Sequence, residues 1–241
     1  MRPVWNLPLD RSGIEVELDN GVHVRIRPGR PDDREALTKA FERFSEHSRY
    51  MRFFGVMPKL NAQVATALSD IDDEHQLAWM VSDPAEPSEV GDGSGLAIAS
   101  ARLFVDDDDP TTAEATLAIV DDYQGRGLGR FLIELLVSTA ALYSIRTIRF
   151  DVLAENRAMR GLLRKIGARG TSLPDDRTIV RYLLEIPDND SVDPTVGALY
   201  VLLRRATDTI SEPDPDPDPP GPDLPDPNPD DIEFPPDRPM S

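Results

Sequence analysis

The stretch Ile119-Val120-Asp121-Asp122-Tyr123-Gln124-Gly125-Arg126-Gly127-Leu128-Gly129 decides how this chain folds. The aliphatic run Glu114 to Val120 leads into it and reads as a strand. Leu128, Phe131, Leu132, Leu135 and Leu136 follow at helical spacing, so a glycine-rich turn joins the strand directly to a long amphipathic helix. Its glycines let backbone approach a ligand closely, while the unpaired N–H groups of the first helical turn and the positive end of the helix dipole face outward. Such a turn is an anion cradle, and a pyrophosphate is the guest that suits it. A P-loop would place Lys and then Ser or Thr after the last glycine, where this chain has Arg130 and Phe131. A dinucleotide site would show G-x-G-x-x-G, whereas Gly125, Gly127 and Gly129 alternate.

On either side of this segment, strands and helices alternate. Ile14 to Leu18 and Val22 to Ile26 flank Asp19-Asn20-Gly21, a hairpin signal, so the chain starts antiparallel. Pro31-Asp32-Asp33 opens a helical pattern carrying Leu37, Ala40, Phe41 and Phe44 on one face. Further helical stretches run through Tyr50 and Phe53 and from Asn61 to Leu68. Leu77 to Val81, Leu96 to Val105, Thr147 to Leu153 and Thr178 to Ile186 read as further strands, and Thr195 to Arg205 as a closing amphipathic helix that covers a sheet edge or forms a dimer contact. The acidic run Asp106 to Asp109 lacks the spacing of a calcium loop and reads as a solvated hairpin tip.

Composition bounds the function. The 241 residues include no cysteine and three histidines, which excludes thiolate chemistry and disfavours a histidine-built metal site; no metal is expected. Lys and Arg number 26 against 44 Asp and Glu, a net charge of −18 that repels nucleic acid and anionic membranes. No apolar run is long enough to span a bilayer and Met1 to Asp10 lacks a signal-peptide core, so the reading is a soluble cytoplasmic protein. Residues 211–241 hold 12 of the 23 prolines and ten acidic residues against the single Arg238. That composition cannot build a core and reads as a disordered, solubilising Pro/Asp-rich tail behind a domain of residues 1–210.

The pattern Gln124-x-x-Gly127-x-Gly129 after an apolar strand resembles the coenzyme A signature of the GNAT N-acetyltransferases. The likeness runs from about Val24 to Ile186. Downstream, the strand Thr147 to Leu153, then Asn156, then a helix closing in Lys165-Ile166-Gly167 repeats the family's arrangement. The run from Phe44 to Phe54 and the placement of Ala113-Glu114 resemble the Pat type of protein lysine acetyltransferase. The resemblance implies an α/β GNAT fold: a mixed six- or seven-stranded sheet flanked by helices, with the strands Glu114–Val120 and Thr147–Leu153 splayed apart to admit pantetheine. It implies acetyl-coenzyme A as co-substrate, held by Gln124, Gly125, Arg126, Gly127, Leu128, Gly129 and Asn156. Backbone amides near Ile119 and Val120 would face the acetyl carbonyl.

By the same resemblance Glu114, ten residues before Gln124, is the catalytic carboxylate, suited to take a proton from the acceptor amine if burial beside Leu117 and Ile119 raises its pKa. Many relatives protonate the departing thiolate with a Tyr seven residues after the Asn; here that position is Leu163. Tyr50, Arg52, Phe53 and Phe54 are candidates for the acceptor-side wall, and His47 for its lining. Asp151 and Glu155 are solvated edge carboxylates that could otherwise orient an amine. The expected activity is acetyl transfer to an amine, either a small molecule or a protein lysine, by a monomer or homodimer. The competing expectation is a non-catalytic coenzyme A-binding sensor or scaffold of the same fold.

Overall fold

The computed structural model describes residues 13–186 apart from 19, 20, 73, 74, 91, 92 and 94. The expected closing helix at Thr195 to Arg205 and the acidic segment 211–241 lie outside the described residues. The chain opens with β1 (Ile14–Glu17) and β2 (His23–Pro28), an antiparallel pair whose turn contains Gly21 at φ +78°. A 3-10 turn at Pro31–Asp33 leads into three short helices, α1 (Arg34–Glu42), α2 (Glu46–Phe53) and α3 (Ala62–Ser69). Ser45 and Asn61 start α2 and α3 as N-caps, their side-chain oxygens accepting from Ser48 N at 3.1 Å and Val64 N at 2.8 Å.

A meander of β3 (Gln76–Asp83), β4 (Leu96–Val105) and β5 (Thr112–Ile119) follows. Next come α4 (Leu128–Leu142), β6 (Thr147–Leu153), α5 (Arg157–Lys165), β7 (Arg169–Ser172) and β8 (Ile179–Glu185). Together the strands make one mixed sheet of order β1-β2-β3-β4-β5-β6-β8-β7, in which only β5 and β6 run parallel, with α4 as their crossover. The eighth strand, β7, has no apolar alternation to announce it: Arg169-Gly170-Thr171-Ser172 is polar and exposed throughout, and its place is set by pairing with β8.

Strand alternation sorts the interior into two cores. Leu77, Trp79 and Val81 of β3, Ala101 and Leu103 of β4, and Ala113 and Ala115 of β5 are buried in the main core with Leu128, Leu132, Leu135 and Leu136 of α4. Trp79 Nε1 donates to Thr139 Oγ1 of α4 at 2.9 Å within that core. On the opposite face Met80 packs with Ala36 and Leu37 of α1 in a smaller cluster. Asp106 and Asp109 fold the β4–β5 turn through hydrogen bonds to Asp108 N, Thr111 and Thr112. No described helix is long and apolar enough to cross a membrane.

Beside the smaller cluster lies a buried ion pair. Arg27 of β2 donates to both oxygens of Asp33 at 2.9 and 2.6 Å, and Arg30 N donates to the same carboxylate at 2.7 Å. Both side chains are about 5% exposed or less. Asp33→Ala removes the carboxylate and leaves the guanidinium enclosed, which costs about 3–5 kcal/mol. Urea unfolding should register it as a lower midpoint at unchanged slope.

Candidate functional site

The parallel pairing of β5 with β6 stops almost as soon as it starts. Only Thr112–Thr147, Ala113–Ile148 and Glu114–Arg149 are matched, although β5 continues to Ile119 beside β4 and β6 to Leu153 beside β8. The strands therefore part beyond Glu114. Val120 N donates to Ile98 O at 2.9 Å, so within the antiparallel β4–β5 ladder the even-numbered residues of β5 bond to β4. The odd ones aim their amides and carbonyls the other way, a direction confirmed by Thr111 O, which accepts from Arg146 N and Thr147 N on the β6 side. Leu117 and Ile119 thus present backbone groups to the gap. The amide of Val120, expected beside Ile119 as a donor to the acetyl carbonyl, is engaged by β4. The amide of Leu117, by strand parity, faces the gap instead.

At the C-terminal mouth of the gap lies the glycine turn. Gly125 has φ +72° and Gly127 φ +85°, left-handed conformations that glycine adopts without strain. A Cβ at Gly125 would meet nothing within 4 Å, so the turn is open on its outer side. Whereas α2, α3 and α5 each begin with a side-chain cap, α4 begins at Gly127 with none, and its first amides point into that space. Gly129 serves packing: a Cβ there would lie 3.1 Å from Leu162 Cδ2 of α5 and 3.8 Å from Ile119 Cδ1. Leu128 is buried in the main core, fixing the helix start.

The side chains of the turn brace it. Gln124 Nε2 donates to Ile119 O at 3.0 Å and reaches Ser48 Oγ at 3.3 Å, tying the end of β5 to α2. Arg126 stacks over the Tyr123 ring at 5.0 Å. The Tyr123 hydroxyl donates to Asp83 at 2.6 Å, and burial together with that bond pushes the phenol up to about 12. Asn156 caps α5 through Oδ1, which accepts from Met159 N at 3.1 Å. Asp121 Oδ2 accepts from Ser45 N at 3.3 Å, and Tyr50 hydrogen-bonds Glu155, which raises the phenol's pKa. Through these contacts α2 lies against the glycine turn at one end and the start of α5 at the other.

Glu114 is not enclosed beside Leu117 and Ile119. Alternation sends those two to the α4 face and Glu114 to the other, where 39% of its side chain is exposed and its carboxylate lies 3.1 Å from Arg149 Nη2. On that same face, under α1–α3, an open-mouthed cavity is lined by Leu37, Phe41, Phe44, Arg52, Phe53 and Met80 among others. Of the expected acceptor wall, Arg52 and Phe53 line it. Tyr50 and Phe54 are exposed and do not, and His47 is exposed as well. Burial pushes Arg52 down to about 10 against the opposing pull of Glu114. Asp151 is held by Arg181 in a two-pronged pair at 2.8 and 2.6 Å, and Leu163 is fully buried in the main core.

Comparison with known proteins agrees with this geometry. A family model described as an acetyltransferase (GNAT) domain matches residues 23–169. The acetyltransferase PA5475 of Pseudomonas aeruginosa is 33% identical over 171 residues, which cover 70% of this chain and 87% of that protein. The acetyltransferase Pat of Mycolicibacterium smegmatis is 29% identical over 194 residues; the match covers 80% of this chain but only 55% of that longer protein. Among solved structures, the GNAT domain of S. lividans PAT superposes with a TM-score of 0.63 at 24% identity, covering 73% of this chain and 98% of that one.

The pairing pattern is open to direct measurement. In amide hydrogen exchange on the free chain, Leu117 and Ile119 should exchange much faster than Val120. A ligand threaded between β5 and β6 should slow the first two and leave the third unchanged.

Proposed function

The chain belongs to the GNAT acetyltransferase family, and from that premise we propose that it transfers an acetyl group from acetyl-coenzyme A to an amine, with Glu114 as the general base. The observation that carries the reading is the conjunction of an uncapped helix start at Gly127 with a strand gap that exposes the amides of Leu117 and Ile119. The open turn and the bare amides of α4 fit a pyrophosphate, and the gap admits an extended pantetheine arm that pairs with β5 as a strand would. The thioester supplies an activated acyl carbon.

The remaining work falls to the protein. Amides at Leu117 and Ile119 stabilise negative charge on the thioester oxygen as the amine nitrogen attacks the carbonyl carbon. A C–N bond forms, the C–S bond breaks, and the amine proton passes to Glu114 directly or through a water. A base is needed because an ordinary alkylamine, with a pKa of about 10.4, is almost entirely protonated at neutral pH. Glu114 stands three residues, about 10 Å of strand, before Leu117, an interval that favours relay of the proton through water. Leu163 can give no proton to the thiolate, so solvent or a group other than the family's usual Tyr supplies it. The likeness to Pat points to a protein lysine as one acceptor class. Residues 1–210 are proposed to hold the whole activity, with 211–241 a spacer.

Two variants separate catalysis from binding. Glu114→Gln should lower turnover at least tenfold while coenzyme A binding by calorimetry is retained; a protein that merely senses coenzyme A would show no turnover to lose. Gly127→Val, which forces a β-branched residue to φ +85°, should abolish coenzyme A binding. Unchanged affinity there would remove the glycine turn from the site.

A further inference from the structure

The cavity under α1–α3 is walled by apolar side chains, with Arg52 the one charged residue among them. Ser100 of β4 and Ala118 of β5 line it. One rung further along the same face stand the register partners Arg102 and Thr116, and one rung beyond them Phe104 and Glu114. Arg102 is 2% exposed, and its Nη1 has no hydrogen-bond partner among the described residues. Thr116 Oγ1 is likewise enclosed without one, and so is Nε of Arg52, a residue on the cavity wall. Three unanswered polar atoms therefore collect where β4, β5 and α2 meet.

Neither neighbouring carboxylate answers them. Asp33 has both oxygens occupied by Arg27 and Arg30 N, and Glu114 is drawn to Arg149 on its far side. Arg149 is itself shared with Asp106 at 3.6 Å. The two buried guanidiniums repel each other. Burial brings Arg102 down to about 10, the charge of Arg52 pushes the same way, and Asp33 opposes. Buried donors and buried positive charge are costly when unpaired, and such groups in native proteins ordinarily have a partner. What these donors lack is an anion with two acceptor oxygens, the complement of a planar guanidinium.

We propose that the acceptor carries its own carboxylate, which binds against Arg52, Arg102 and Thr116, beside an apolar body that enters the cavity, so that a small apolar amino acid is the acceptor in place of the protein lysine that the likeness to Pat suggests. The inference rests on the acetyl-transfer reading and specifies its acceptor. With the carboxylate on the guanidiniums and the apolar group against the packed rings of Phe41, Phe44 and Phe53, the amine is left on the β5 side, where Glu114 stands one rung from Thr116. The chain's overall acidity, which favours cations at long range, gives way at this spot to local guanidinium charge. Electrostatics at a site is set by groups within a few ångströms in a low-dielectric pocket more than by net charge outside it.

Calorimetry on the full chain, free and then saturated with coenzyme A, tests this with L-alanine, L-leucine and L-phenylalanine, their amides, spermidine and Nα-acetyl-lysine amide. The expected result is that leucine or phenylalanine binds at least tenfold more tightly than its own amide. Arg52→Gln and Thr116→Val should each remove that preference while amide and coenzyme A affinities stay as they were. Arg52→Lys should restore part of it. The acid-to-amide comparison needs no variant, so a misfolded substitution cannot hide the answer. The inference is overturned if no free acid binds, if acid and amide bind alike, or if spermidine or the lysine amide binds more tightly. Failure of coenzyme A to bind would instead strike the acetyl-transfer reading, while the acid-to-amide ratio on the free chain still decides the acceptor's chemistry.

Discussion

Backbone amides inside a sheet must be paired, and the chemistry of this molecule grows from the place where that requirement is suspended. The Glu114–Arg149 rung closes the parallel contact of β5 with β6, after which β5 stays with β4 and β6 with β8. A row of main-chain donors and acceptors on β5 is left facing a gap instead of a strand. Close behind, α4 begins without a side-chain cap at Gly127. A guest that pairs like a strand and ends in an anion answers both deficits at once. Beside the gap, Gly129 brings α4 within contact of Leu162 on α5 and of Ile119 at the end of β5.

Charge is arranged at two scales that disagree. The chain as a whole carries −18, half of it in the last 31 residues. Beneath α1 and α3, however, Arg27, Arg52 and Arg102 approach one another with one fully occupied carboxylate, Asp33, among them. Long-range attraction brings cations toward the surface, while the enclosed guanidiniums decide which part of a ligand is tolerated inside.

The glycine turn was legible because its function is written in backbone conformation: positive φ at Gly125 and Gly127 needs glycine, and Leu128 to Leu136 repeats at the helical period. The strands near it were legible as hydrophobic runs. Where the reading fell short, partners distant in sequence were responsible. β7 has a polar sequence and is a strand only because β8 offers it bonds. Whether Glu114 is enclosed depends on which face of β5 meets α4, a parity that a short mixed run such as Thr112 to Ile119 does not declare. The amides of Val120 and Leu117 point opposite ways for the same reason: the direction of an amide in a ladder is set by register against Ile98, invisible in either segment alone. Arg52 and Arg102 stand 50 positions apart and become a pair only when α2 covers β4.

The surroundings of Glu114 bear on how an amine loses its proton. Arg149 lies 3.1 Å from the carboxylate, and Arg52 interacts with it from the cavity side. An alkylammonium entering here meets two guanidiniums and a carboxylate that is already paired, so positive charge on the acceptor is disfavoured and its neutral, nucleophilic form is favoured. On the proposal that Glu114 is the base, the cationic field would assist deprotonation through the acceptor. The same field would expel a simple amine along with its proton. With the proposed acceptor, a negative group placed on the Arg52 side would restore attraction for the molecule as a whole while the nitrogen still felt Arg149, which would assign retention and activation of one substrate to different guanidiniums.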